Sequence, residues 1–495
     1  MTSMWSFLLA IAILVGVHEY GHYKIAVLLG VKVLRFSLGF GPVIFRSSMG
    51  RKVLSSDASQ KGETEFVISL IPLGGYVTFL DESSDPKLKE DWSRAFHQQS
   101  LLNRSLIVAA GPMANFLLAV VMLVVMNMVG FESVAPTLSS PVKGSLAQRA
   151  GMASGMRVLQ IGPKGEEPQD IASYAQFEKT ILQGLSSDPA MVLVLSTMQD
   201  HSKKPSQVEL DLSQFHIPQK GANGEDRASP EEDPQKVLQK LIREEPRAVM
   251  TLLGFSGPFS QAVIGRVSPG GAADQAGLLE GDKVLRINEE PVLDAYALRT
   301  RIAQSGQFEP IEAQTWWIER KGEKQPFGLT LTPQRKMQGQ EGVGRIEAYV
   351  GTPAERVWVQ EGLVAAFQSA CATAFDWTLK TLESIGQLIT GKAELSQLGG
   401  PISLAKYAGE SVHLGFAAFL SYLALVSINL GVFNLLPIPA LDGGHLLCYC
   451  WEGLSGRALS ERFIQGFQRI GLFFILALSV YALRNDLMRA WGLSL

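Results

Sequence analysis

The chain has 495 residues, 46% of them hydrophobic and 18% charged, and 44 Lys and Arg against 47 Asp and Glu give a formal net charge of −3. A charged fraction below the roughly 25% of ordinary soluble proteins argues against disorder, coiled coil and collagen, and the near-neutral balance leaves no electrostatic footprint for nucleic acid. Three cysteines, Cys371, Cys448 and Cys450, are too few for a disulfide framework. The close pair is separated by one residue, not the two of a redox or zinc-ribbon motif, so all three read as small hydrophobes.

The apolar residues are unevenly spread. Residues 1–17 carry no charge, with neither a basic stretch before the run nor a small-residue cleavage site after it, so they read as a retained membrane helix and not a signal peptide. The run continues into His18-Glu19-Tyr20-Gly21-His22, and Ile25 to Leu29 resume the apolar pattern. In a helix the two imidazoles, spaced i, i+4, stand one turn apart on one face, where both can reach one Zn²⁺. Glu19 is offset by about 100° and can address a water on the metal instead. Three ionisable groups at membrane depth are costly unless a metal or a polar cavity compensates, which favours a zinc site over a solvated helix end.

The next segment is basic near both ends (Lys24, Lys32, Arg35, Arg46, Arg51, Lys52, then Arg94 and Arg104) and should be cytoplasmic. Within it, residues 36–42 and 65–72 read as alternating strands with glycine turns. Ser105 to Phe131 is an uncharged run longer than the roughly 20 residues that span hydrocarbon. From Glu132 to His413 the chain is polar enough to be soluble.

That half contains an internal repeat. Gly144 to Gly162 aligns with Gly270 to Asn288 at eight identical positions, including Ala150/Ala276, Gly151/Gly277, Gly155/Gly281 and Ile161/Ile287. Each copy predicts a short helix ended by Ala-Gly, a glycine turn and a strand. The pattern resembles the core of a PDZ domain, closely in the second copy; the first lacks the Asp after Gly155. A PDZ fold implies a sheet edge and groove that take an added peptide strand, but a spacer or size filter that binds no peptide remains open. Polar residues from Lys203 to Asp233 read as a mobile link. Val357 to Val412 turns helical, with a break at Gly399-Gly400-Pro401.

A third apolar run, Leu414 to Leu441, ends in Asn434-Leu-Leu-Pro437-Ile-Pro439-Ala-Leu-Asp442. A fourth, Ile470 to Leu483, becomes long enough to span when extended back to Phe463, with Arg469 snorkelling to the interface. Arg457 and Arg462 make the loop between them cytoplasmic, so both termini and the long soluble segment lie outside.

A zinc site needs a third protein ligand. A metzincin would place Gly and His where this chain has Ile25 and Leu28, and no acid, His or Cys occurs from Tyr23 to Ser56 to serve a thermolysin-like site. The third ligand must be distant in sequence. His97, His201, His216 and His413 sit outside the apolar runs, and His445 reads as a surface residue. Asp442 is the preferred candidate, because two prolines break the helix just before it and expose backbone that needs partners in a bilayer. A plain N-cap for the following stretch is its alternative role.

HEYGH in the first span, Asn434-xx-Pro437-x-Pro439-xx-Asp442-Gly443 in the third, Gly74-Gly75-Tyr76-Val77 and Gly111-Pro-Met-Ala-Asn-Phe116 together resemble the site-2 protease family, in its bacterial regulator-of-sigma-E branch with tandem PDZ repeats. The resemblance covers nearly the whole chain. It implies an intramembrane zinc metalloprotease with zinc ligands His18, His22 and Asp442, catalytic Glu19, substrate-contacting Asn429 and Asn434, and membrane-associated β-hairpins at 36–42 and 65–72. It further implies single-span membrane-protein substrates, namely an anti-sigma factor and signal-peptide remnants, in the bacterial inner membrane with the PDZ pair in the periplasm.

The expected fold is thus a polytopic α-helical membrane protein with β-hairpins and two PDZ-like α+β domains. Its parts are a first membrane helix (1–30), the cytoplasmic hairpin region (31–103), a second helix (104–131) and PDZ-like domains at 132–222 and 223–335. A helical region (336–413), a third span (414–441), a cytoplasmic loop (442–462) and a fourth span (463–484) complete it. The competing reading is a PDZ-bearing membrane scaffold with purely structural zinc, which would require a closed four-ligand site.

Overall fold

The computed structural model describes residues 2–49, 64–80, 92–188, 191–198, 205–215, 233–307, 309–338, 341–391, 399–457 and 459–491. The chain divides into two compact units, Met1–Phe131 with Gln360–Leu495, and Glu132–Val359.

In the first unit α1 (Thr2–Leu28) leads into two bent strands, β1 (Val33–Met49) and β2 (Thr64–Phe79), followed by α2 (Leu101–Val129). After the second unit come α3 (Leu363–Ile389), α4 (Pro401–Leu414), α5 (Phe416–Leu435), α6 (Asp442–Ser455) and α7 (Glu461–Ala490). Among the described residues four helices are long and apolar enough to cross a membrane: Ser3–Leu28, Leu101–Val129, Phe416–Leu435 and Arg462–Ala490. At 1.5 Å per residue even the shortest, of 20 residues, covers about 30 Å of hydrocarbon.

The core of this unit joins α1, α2, α3 and α5 through Ala10, Ala119, Leu123, Ala370, Leu423 and Ile428. In α3 the buried residues are Ala366, Ala370 and Ala374, a small-residue stripe at helical spacing that lets neighbouring backbones approach closely. Many apolar side chains point outward instead, among them Leu117 and Val121 of α2 and Phe473, Leu476 and Val480 of α7, as expected where lipid is the solvent.

The two strands fold back on themselves. Val33 to Leu38 is antiparallel to Gly75 to Phe79 on one side, while on the other Arg35, Phe36, Ser37 and Leu38 face Glu65, Phe66, Val67 and Ile68 in turn, numbers rising together. Residues 43–49 cover the far side of 64–69. The result is one small sheet of four segments. Tyr23 of α1 docks on it through ring contacts with Phe36 (5.8 Å) and Phe66 (5.4 Å).

Three boundaries differ from expectation. The third span ends at Leu435, because Pro437 and Pro439 cannot donate and the residue before a proline is pushed out of the helical region; Leu436 has ψ 144°. Asp442 therefore opens α6 and does not close the span. The segment expected to turn helical from 336 is built of short strands up to Val359, and the helices begin only at Leu363. Finally, α7 extends to Ala490, beyond the expected end of the fourth span at 484.

The second unit repeats one motif. Helix Leu146–Arg149, strand Arg157–Pro163, short strand Gln169–Asp170, helix Tyr174–Ser187 and strands Val192–Met198 and Ser206–Asp211 form the first lobe. Helix Ala272–Gln275, strands Lys283–Ile287 and Glu290–Pro291, helix Ala295–Ser305 and strands Gln314–Glu319 and Phe327–Leu331 form the second. Strand order is the same in both four-stranded sheets: short second strand, first, third, fourth. Val158, Ile161, Val284 and Ile287, at matching positions of the repeat, are buried in the two cores. The expected link from Lys203 is shorter than read, since Ser206–Asp211 is a sheet strand; residues 203–204 and 216–232 lie outside the described residues, as do His201 and His216. Helices Pro234–Glu244 and Pro246–Leu253 bury Leu238, Val249, Met250 and Leu253 in the first lobe's core, not the second's. Asp294 joins the lobes: it caps its own helix at Ala297 N (2.8 Å) and accepts from Ser140 and Ser154 hydroxyls of the first lobe.

Candidate metal centre

His18 and His22 sit on the face of α1 that meets α2. Their Nε2 atoms are 3.2 Å apart, with ring planes at 86°. The break after α5 brings Asp442 to them from a point more than 400 residues away in sequence. Asp442 Oδ2 lies 3.2 Å from His18 Nε2 and 3.5 Å from His22 Nε2. Ala440, at φ 73°, turns the chain, and a side chain at Gly443 would lie 2.1 Å from the Leu436 carbonyl oxygen. Only glycine lets α6 begin this close to the break.

The triangle of donor atoms has the dimensions of a metal face. Around a tetrahedral zinc with bonds of about 2.0–2.1 Å, neighbouring donors lie about 3.3–3.4 Å apart. Asp442 Oδ2 is buried and, despite its closeness to two imidazoles, accepts no hydrogen bond of proper geometry. Two imidazoles and a carboxylate suit zinc, and three protein donors leave a fourth position for water or substrate. Among the described residues no other three such side chains converge.

Helix α2 backs both rings. His22 Nδ1 donates to the Ile107 carbonyl at 2.8 Å. Asn115 places its side-chain amide 3.1 Å from His18 Nδ1. Between them is Gly111, where a Cβ would stand 2.3 Å from His22 Nε2 and 2.9 Å from His18 Cε1.

Glu19 is half-buried on the adjoining face of α1, close enough to interact electrostatically with His18, His22 and Asp442. It packs beside the segment Gly75 to Phe79, and a Cβ on Gly75 would lie 2.8 Å from Glu19 Cγ. In the strand pairing this segment has a partner on one side only among the described residues.

Asn429 and Asn434 both lie on α5, but five residues apart they point about 140° from each other. Asn429 Oδ1 accepts from Thr381 Oγ1 of α3 at 2.8 Å, and Asn434 is in the last turn before the break. His445 is not a surface residue: it is half-buried, its Nε2 is 3.4 Å from Gln468 Nε2, and burial holds its pKa below the ordinary imidazole value. The sequence reading assigned no role to Gly75, Gly111 or Asn115, although all three fall inside the short motifs GGYV and GPMANF.

Residues 6–478 match peptidase family M50. The chain is 35% identical over 490 residues to the regulator of sigma E protease of Haemophilus influenzae, covering 98% of this chain and 99% of that one. It is 33% identical over 489 residues to the regulator of sigma-E protease RseP of Escherichia coli K12, covering 98% of each. A protein of Ralstonia nicotianae named as a zinc metalloprotease is 35% identical over 500 residues, covering 99% of each. With its HExxH helix, its distant aspartate and a match along nearly its whole length, the chain belongs to peptidase family M50, the site-2 zinc metalloproteases.

Proposed function

We propose that this protein hydrolyses peptide bonds inside the membrane-spanning segments of single-span proteins, using zinc held by His18, His22 and Asp442 with Glu19 as the catalytic base. The observation that carries the reading is the 3.2–3.5 Å donor triangle set among helices apolar enough to span a bilayer. Zinc, when bound, lowers the pKa of a water and polarises the scissile carbonyl. Glu19 takes the proton of the attacking water on its carboxylate and delivers it to the leaving amine.

A transmembrane helix hides its peptide bonds, so it must unwind before cleavage. The one-sided strand Gly75 to Phe79, lying against Glu19, offers backbone partners to an extended substrate by strand addition. Asn434, next to the break, is placed to hold a freed substrate amide. Asn429 serves the same end more remotely, since its carbonyl oxygen is engaged by Thr381.

The names of the relatives favour a place in sigma-E regulation, with an anti-sigma factor as substrate in the bacterial inner membrane; signal-peptide remnants are a second substrate class. The two lobes of Glu132–Val359 are PDZ-like, stand on the periplasmic side by the charge rule, and exclude substrates with bulky outer domains. The test of the catalytic reading is Glu19→Gln in the full chain, with zinc content and cleavage of a single-span reporter both measured. Full zinc with no cleavage is expected; full zinc with normal cleavage would remove Glu19 as the base.

A further inference from the structure

The motif Gly111 to Phe116 has no role in the chemistry above, yet it lies against both imidazoles. Residues 107, 111 and 115 follow one another at i, i+4, i+8 and so share one face of α2. Along that face stand a backbone carbonyl facing His22, a gap where a side chain would collide with both rings, and a side-chain amide facing His18. The two helices meet so that the His pair of α1 is matched, ring for ring, by two polar groups on α2.

A neutral imidazole that offers Nε2 to a metal carries its proton on Nδ1 and needs an acceptor there. For His22 that acceptor is the Ile107 oxygen. For His18, among the described residues, the polar group at Nδ1 is the Asn115 amide, at 3.1 Å. Asn115 is fully buried. With its nitrogen toward the ring, its Oδ1 is left buried with no partner, and the ring would have to carry its proton on the metal side. Turning the amide by a half rotation exchanges two atoms of similar size and places Oδ1 on the Nδ1 proton, with Nδ2 taking the position Oδ1 held. The backbone there is also pinned, since the Asn115 carbonyl accepts from Ser427 Oγ of α5 at 2.8 Å, the helix whose end leads to Asp442.

We infer that Asn115 is a positioning residue for the metal centre: its side-chain oxygen accepts the Nδ1 proton of His18, fixing the tautomer and the ring plane that present Nε2 to zinc. This rests on His18, His22 and Asp442 being the ligands. Asn115 then ties the α1 ligand to the helix that delivers the third ligand, and it acts through His18 without touching substrate.

The test compares the wild-type full chain in lipid nanodiscs with Asn115→Leu, Asn115→Asp and His18→Ala. Zinc affinity is read by chelator competition, and unfolding of the zinc-free form serves as the fold control. Loss of an orienting partner typically weakens metal binding about 10- to 100-fold, so Asn115→Leu should bind zinc at least about tenfold more weakly while unfolding like wild type. Asn115→Asp keeps an acceptor but has no N–H, and should bind within about fivefold of wild type. Wild-type affinity in Asn115→Leu overturns the inference; so does a fall in Asn115→Asp as large as in Asn115→Leu, which would mean the amide acts as donor. Should Asn115→Leu fail to fold, Asn115→Asp decides alone by the same fivefold limit. Unaltered zinc binding in His18→Ala would instead remove the ligand assignment itself, whereas loss of zinc there beside normal binding in Asn115→Leu would sink only the role of Asn115.

Discussion

Gly111→Ala is the smallest change that tests the metal centre from outside its ligand set. The new Cβ would lie 2.3 Å from His22 Nε2, 2.5 Å from His22 Cε1 and 2.9 Å from His18 Cε1. Ordinary carbon contacts are about 3.5 Å or longer, so His22 must move by about 1 Å or the helices must part. Neither is easy. The ring is held by its bond to the Ile107 carbonyl, and α2 is locked to α5 by Ser427. A shift of about 1 Å at a reacting centre can cost about 100-fold in rate, equivalent to about 2.7 kcal/mol of barrier. Helix stability works in the opposite direction, because Ala is favoured over Gly inside a helix by about 0.8–1 kcal/mol. Lost activity could not then be blamed on a weaker α2. Gly386→Ala in α3, where a Cβ would meet nothing within 4 Å, is the matched control. The assay is cleavage of a single-span reporter in proteoliposomes, with zinc content and helicity measured on the same samples. The expected result is intact helicity, depleted zinc and cleavage reduced about 100-fold or more, with the control unchanged. Full zinc and cleavage within about twofold of wild type would refute the close packing of α2 on the imidazoles, and with it the argument that this face shapes the site.

Gly75→Ala presses on the base and not on the metal, its Cβ being 2.8 Å from both Glu19 Cγ and the Ser37 carbonyl oxygen. Turnover should fall about tenfold with zinc retained, and normal turnover would show that strand and base are not closely packed. Asp486→Ala removes the acceptor for Gly400 N (3.0 Å), Ile402 N (2.9 Å), Ser403 N (3.0 Å) and the Ser403 hydroxyl. Uncapping α4 in this way should destabilise by about 2 kcal/mol, read as a lower unfolding midpoint; an unchanged midpoint would mean that the buried donors find other partners. Replacing Glu132–Val359 by a short polar linker, with the spans kept, should permit cleavage of substrates that retain a bulky outer domain. Unchanged selectivity would count against a size filter.

The sequence determined what composition and local spacing can carry. A span is legible because every residue in it faces hydrocarbon or another helix, so four apolar runs, two of them long and wholly uncharged, suffice to mark it. The His pair is legible because its geometry is set by one helical turn. The repeated lobes are legible because the same apolar positions are buried twice, at Val158 and Ile161 and at Val284 and Ile287.

Tertiary structure decided whatever depends on two distant segments meeting. Asp442 could be preferred from sequence as an acid at the end of an apolar run, but only the turn through Ala440 and the start of α6 brings its oxygen within 3.5 Å of both imidazoles. Helices 234–253 are amphipathic in either neighbourhood, and only packing assigned them to the first lobe. Gly75, Gly111 and Asn115 are ordinary letters in one dimension. Their importance comes from what a side chain would strike, or must accept, across a helix or strand contact, and no local periodicity encodes that distance.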